Sequence, residues 1–208
     1  ISSNGVEVKF SVVNSGDFNS FKYEAEKVFL WFKNKPNIIG VKFEHKNNEY
    51  IEKDIIPGIH LTTRSSYDQP SIAVMGNIAY PLDKISEPEK YFGDLTSLLK
   101  CGLVIEFGIG ELDFAASREV LSFVPLTINS IKDKLEKLNK NLAEHFAVKA
   151  DAIENEWLRA QFLYNESHSR LYKSVVRQYV ADTKFPLFNN DDYYGTKNFD
   201  LDIGELQK

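Results

Sequence analysis

The chain has 208 residues and a mass of 23.8 kDa, is 43% hydrophobic and 13% aromatic, and carries 15 Phe and 10 Tyr. That supports a packed core in one large or two small domains and excludes extensive disorder. The net charge of -5 gives no global attraction to nucleic acid or acidic membranes. The single cysteine, Cys101, excludes an internal disulfide framework and fits a reducing cytosol.

No apolar run reaches the roughly 18–20 residues of a membrane helix, so no transmembrane segment is expected. Ile1-Ser2-Ser3-Asn4 leads directly into a strand-like pattern with neither an initiator Met nor a signal peptide. The expectation is a piece of a longer protein, although removal of a tag or leader would give the same start. Val6, Val8, Phe10 and Val12 alternate, predicting a strand over Gly5 to Val13. Asp17 is the expected N-cap of a helix with an apolar stripe of Phe18, Phe21, Ala25, Val28, Phe29 and Phe32, ending near Asn34 before Pro36. Ile38 to His45 and Tyr50 to Ile56 read as strands around the turn Lys46-Asn47-Asn48.

Ile72 to Met75 and Ile78 to Leu82 flank Gly76-Asn77, which predicts a tight hairpin. Tyr91 to Leu99 is an expected short helix, Leu103 to Phe107 a strand, and Glu111 to Phe114 an extended segment. Residues 1–125 therefore read as an α+β layer. Thr127 is the expected cap of a long helix with apolar Ile128, Ile131, Leu135, Leu138, Leu142 and Phe146. Asp133/Lys137 and Glu136/Lys140 are spaced to support it. Helical patterning resumes from Asp151 to about Asp182, with Trp157, Ala160, Leu163, Leu171 and Val175. The expected organisation is thus 1–125 α+β, 126–182 helical and packed on or extending from it, and 183–208 an irregular tail.

Several chemistries find no matching pattern. His45, His60, His145 and His168 have no metal-type spacing with Cys101 or with one another. Gly108-Ile109-Gly110 lacks the third glycine of a dinucleotide fingerprint and reads as a turn. Asp191, Asp192, Asp200 and Asp202 miss the spacing of a calcium loop and read as a solvated acidic tail. Lys132, Lys134, Lys137 and Lys140 alternate with acids, which reads as a solvated helix face and not a nucleic-acid stripe.

One stretch stands apart, Gly110-Glu111-Leu112-Asp113-Phe114-Ala115-Ala116-Ser117-Arg118-Glu119-Val120-Leu121. An apolar, acid-flanked segment runs into Ser-Arg-Glu and a short turn, and the long helix follows. Ser117 can cap that turn and Glu119 can pair or take backbone donors, which supports Arg118 on a loop. Arginine offers a permanent charge and a planar fork of donors suited to phosphate oxygens. On spacing alone, an arginine merely paired to Glu119 or a nearby acid is the favoured reading.

The Leu112 to Leu121 segment resembles the catalytic-arginine loop in the middle domain of the ninety-kilodalton heat-shock chaperones. More of the chain, residues 5 to about 145, resembles the phage rIIA family, protectors from prophage-induced early lysis. The matching pieces stand in order: Gly5-Val6-Glu7-Val8, the aromatic helix leading to Pro36-Asn37-Ile38-Ile39-Gly40, Val74 through Asp83, and Gly110 through Ser122. The resemblance implies a transducer domain with the ribosomal protein S five second-domain fold, an α+β class, followed by a helical C-terminal region. It implies an upstream GHKL-type ATPase domain of the same chain as partner, with Arg118 as the catalytic residue and Ser117 and Glu119 supporting it. ATP and magnesium are implied for the parent. The fragment holds no cofactor of its own, because the magnesium-holding Asn, the adenine-reading Asp and the glycine-rich lid are absent from these residues.

The residues leave open a homodimer and a phage or host protein partner; the expected location is the host cytoplasm, or peripherally the inner membrane through partners. Nucleic acid is not expected. The alternative is a non-catalytic protein–protein interaction module, in which Ser117-Arg118-Glu119 is a structural corner.

Overall fold

The computed structural model describes residues 14–40, 42–117 and 120–185. It divides into two compact units, Ile1–Asn48 and Glu49–Lys208. The strand expected over Gly5 to Val13 and the tail after Phe185 lie outside the described residues.

In the first unit, α1 spans Ser15–Phe29. Its cap is Asn14, and Asp17 sits in the first turn. The Asn14 N–H donates to Asp17 Oδ2 at 3.3 Å, and the Asp17 N–H donates to the Asn14 carbonyl at 3.1 Å. Asp17 is therefore the reciprocal acid of the first turn and not the cap. The helix also stops short of Asn34, because Lys35 Nζ takes the carbonyls of Phe29 and Leu30 at 2.6 and 3.0 Å. These are acceptors that the last turn leaves open. Phe29 packs edge-on against Phe32 and Phe43, at 5.3 and 6.0 Å between ring centroids. Phe18 and Val28 are exposed, so the stripe is not a uniformly buried face. Ile38 to His45 forms no strand among the described residues; His45 Nε2 instead donates to the Pro36 carbonyl at 2.9 Å.

The second unit is a mixed α+β assembly around a five-stranded sheet. Strands β1 (Glu52–Ile56), β2 (Ile59–Leu61), β3 (Ile72–Met75), β4 (Ile78–Pro81) and β5 (Leu103–Phe107) stand in the order β1-β2-β5-β3-β4. Every neighbouring pair is antiparallel except β3 and β5, which run parallel with Ile72 opposite Val104 and Met75 opposite Phe107. β1 turns at Pro57-Gly58 into β2, so its partner is β2 and not Ile38 to His45. β2 is three residues long and wholly buried, too short to carry a readable period. The β3–β4 hairpin forms as expected, with Gly76 at φ 66° in its turn.

The single helix expected over Tyr91 to Leu99 is two pieces, α2 (Pro88–Phe92) and a 3₁₀ segment, Gly93–Lys100. Gly93 at φ 53° separates them. Ser71 then ties the exit to the sheet: its Oγ donates to the Leu98 carbonyl at 3.0 Å and accepts from the Leu103 N–H at 3.1 Å.

Three helices complete the unit: α3 (Pro125–Asp151), α4 (Glu156–Ser167) and α5 (Lys173–Thr183). In α3, Ile131, Leu135, Leu138, Leu142 and Phe146 are all buried, as the spacing predicts, and share one core with the sheet. Pro125 occupies the first turn and Val124 the cap. Thr127 is thus not the cap but a buried first-turn residue. Along the surface of α3 the ion pair is Lys132–Glu136, 3.9 Å, and not the expected Asp133–Lys137 or Glu136–Lys140. The helical pattern after Asp151 breaks between α4 and α5, with Ala160, Leu163 and Leu171 buried and Trp157 exposed. Among the described residues no helix is long and apolar enough to cross a membrane.

Candidate functional site

The residues on either side of Ser117-Arg118-Glu119 are pinned. Leu112 and Leu121, either side of it, are buried and anchor it in the core. Phe114 and Leu121 form an antiparallel bridge. The Ala115 N–H donates to the Val120 carbonyl and the Ser122 N–H to the Asp113 carbonyl, both at 3.0 Å. Those bonds hold the described residues 113–115 and 120–122 together.

The loop is also tied to α3. The Asp113 N–H donates to Thr127 Oγ1 at 2.9 Å. That bond explains why Thr127 does not cap: its hydroxyl serves the Asp113 amide of the loop. Upstream, Glu111 Oε2 accepts from the Gly108 N–H at 2.8 Å, which shapes the turn through Gly110 at φ 90°. Ser117 lies in the described part of the loop, and Arg118 and Glu119 lie outside the described residues.

A second group joins residues far apart in the chain. Glu52, the first residue of β1, is buried, and its Oε1 accepts from His145 Nε2 and, at 2.8 Å, from Lys149 Nζ. His145 and Lys149 lie one turn apart on α3. Burial alone would raise the Glu52 carboxyl, but the hydrogen bonds from Lys149 and His145 outweigh it and hold the group below its ordinary value.

Glu166 of α4 is also buried, and its Oε1 accepts from Arg64 Nε at 2.6 Å. Here burial wins over the Arg64 charge, and the carboxyl is raised. The buried Tyr172 hydroxyl stands between these acids and is raised by burial and by the charge of Glu52. Two carboxyls of one cluster are thus driven in opposite directions, one toward the charged and one toward the neutral form.

Sequence reading did not find this cluster. Its local signal was a His and a Lys four apart at the edge of an apolar stripe, with nothing to indicate the acid they share. No protein-family model, curated protein or solved structure matches the chain.

Proposed function

We propose that the chain is the coupling layer of an ATP-driven protein of the rIIA-like, GHKL class. In this reading the mixed sheet with α3 is the layer similar to the second domain of ribosomal protein S five. The nucleotide pocket, with ATP and magnesium, is supplied by an ATPase domain outside these 208 residues. Arg118 reaches the terminal phosphate when that domain closes, and Ser117 and Glu119 support it.

The observation that carries the reading is the pinned loop. The residues flanking Ser117-Arg118-Glu119 are held together by the bonds between Asp113 and Ser122 and between Ala115 and Val120. They are also bonded to the first turn of a 27-residue helix. A phosphate-sensing arginine on such a loop would transmit its displacement into α3, because the loop cannot shift without straining the Asp113–Thr127 bond.

The test compares two preparations. In the protein carrying the ATPase domain, Arg118→Ala is expected to cut ATP turnover by about a hundredfold or more while nucleotide binding is mostly kept. Arg118→Lys should restore only part, since a point charge does not reproduce a two-pronged contact. In the 208-residue chain the same change should leave the melting temperature nearly unaltered. Normal turnover with a destabilised chain would instead make Ser117-Arg118-Glu119 a structural corner of an interaction module.

A further inference from the structure

The pairing of β1 with β2 contains a bulge. Glu52 lies opposite Leu61 and Ile56 opposite Ile59, so Lys53, Asp54 and Ile55 share one partner, His60. A bulge of this kind takes backbone groups out of the ladder, and they need other partners. Asp54 sits at its centre with φ 52°, a left-handed backbone that most side chains avoid and Asp tolerates. Its N–H donates not to a strand carbonyl but to the His60 ring, at 2.9 Å from Nδ1.

That bond defines the state of the imidazole. A backbone N–H can only donate, so Nδ1 carries no proton and the neutral ring keeps its hydrogen on Nε2. Nε2 donates in turn to Glu106 Oε1 of β5 at 3.4 Å. His60 is buried, and its ring stacks on Tyr50 at 4.5 Å between centroids.

Both ring nitrogens nonetheless face carboxylates. Asp54 Oδ1 is 3.7 Å from Nδ1 and Glu106 Oε1 is 3.4 Å from Nε2, and both acids are about half exposed, which gives solvent protons a way to the ring. From α3, Lys134 Nζ approaches the turn at Gly58. Glu52, two residues before Asp54 on β1, is engaged by His145 and Lys149 of α3.

Asp54 has a second task. Its Oδ1 accepts from the Gly58 N–H at 3.1 Å and closes the β1–β2 turn. The same oxygen is therefore within reach of two donors: the Gly58 amide, and an Nδ1–H once the ring is charged. The Gly58 carbonyl is tied separately, accepting from the Glu106 N–H at 2.8 Å, so a change at Asp54 stays confined to the turn.

We propose that His60 is a pH-operated latch on the β1–β2 turn. In its neutral form the ring holds the Asp54 amide and leaves the Asp54 carboxylate on Gly58. A proton taken up on Nδ1 removes the acceptor for the Asp54 N–H and sets two donors face to face. The new N–H and the ring charge draw Asp54 Oδ1 away from Gly58, toward the roughly 2.8 Å of a charge-assisted bond. The left-handed Asp54 and the turn are released together. The latch does not depend on the role of Arg118.

The test is an NMR titration of the 208-residue chain from about pH 8 to about pH 5, the span in which imidazoles ordinarily change charge. It follows the His60 ring nitrogens and the solvent protection of the Asp54 and Gly58 amides. At the upper end Nδ1 should be the unprotonated ring nitrogen. As the ring gains its second proton, protection at both amides should fall by about tenfold or more with the same midpoint, while Ile105 in β5 keeps its protection. His60→Asn puts a carbonyl oxygen that does not protonate near the place of Nδ1, and should keep both amides protected throughout. Asp54→Asn should retain the response at position 54 and reduce it at Gly58, because a neutral amide is drawn less to the charged ring. Four results would overturn the proposal: a proton on Nδ1 at the upper end, a ring that stays neutral across the range, a ring that charges with no loss at Asp54 and Gly58, or the same loss in His60→Asn.

Discussion

At the scale of single residues, Glu52 and Glu166 should respond oppositely to the same substitution. The Glu52 carboxyl is held below 4.5 by Lys149 and His145. Its stabilising contribution is therefore present above the unfolded value and lost as pH falls through the lowered folded value. Glu52→Gln should cost about 1–3 kcal/mol at pH 7, because Lys149 and His145 lose a charged acceptor. Urea unfolding between pH 3 and 7 should show a shallower loss of stability at acid pH in the variant.

Glu166 is raised above 4.5 by burial, so its favourable contribution is present at low pH and declines as pH rises through the folded value. Glu166→Gln should accordingly change stability by no more than about 1 kcal/mol at pH 7, or increase it. A loss comparable to that of Glu52→Gln would show that the Arg64 pair outweighs desolvation. Gly102 is a third such position: it sits at φ 67°, and an added Cβ would meet Thr63 Cγ2 at 2.6 Å. Gly102→Ala combines a disfavoured backbone with a clash and should cost at least about 2 kcal/mol by the same unfolding assay.

At the scale of elements, α3 is the piece on which the rest depends. Its stripe from Ile131 to Phe146 joins the core shared with the sheet, and Leu138 is fully buried. Leu138→Ala should cost about 2–5 kcal/mol, read as a lower urea midpoint. A change below about half a kcal/mol would contradict that burial. The tie between α3 and the loop gives a subtler expectation. Thr127→Val keeps the shape but removes the acceptor for the Asp113 N–H, which should cost about 0.5–1.5 kcal/mol. Hydrogen exchange at the Asp113 amide should speed up more than at Ile105 in β5.

At the scale of the whole molecule, the coupling reading makes a claim about the 208-residue chain alone. A single arginine cannot hold a magnesium nucleotide, so calorimetry with ATP should show no micromolar affinity. Such affinity, a gain of about 8 kcal/mol, would require a complete nucleotide pocket within these residues and would remove the coupling assignment.

Sequence alone determined the elements whose burial is written in a local period. β3, β4 and β5 fell where short apolar runs and Gly76-Asn77 placed them, and the α3 stripe followed from apolar residues three and four apart. The end of α1, the role of Thr127 and the pairing of β1 with β2 were decided by tertiary structure. In each case another group competed for the same donor or acceptor: Lys35, just past the helix, for its carbonyls, Asp113 for a hydroxyl fourteen residues on, and Ile59 to Leu61, across a tight turn, for a strand edge. The charged cluster is the extreme case. Glu52 meets His145 across 93 residues and Arg64 meets Glu166 across 102. No periodicity links such positions, and only the packing of β1, α3 and α4 around one core brings their charges within reach.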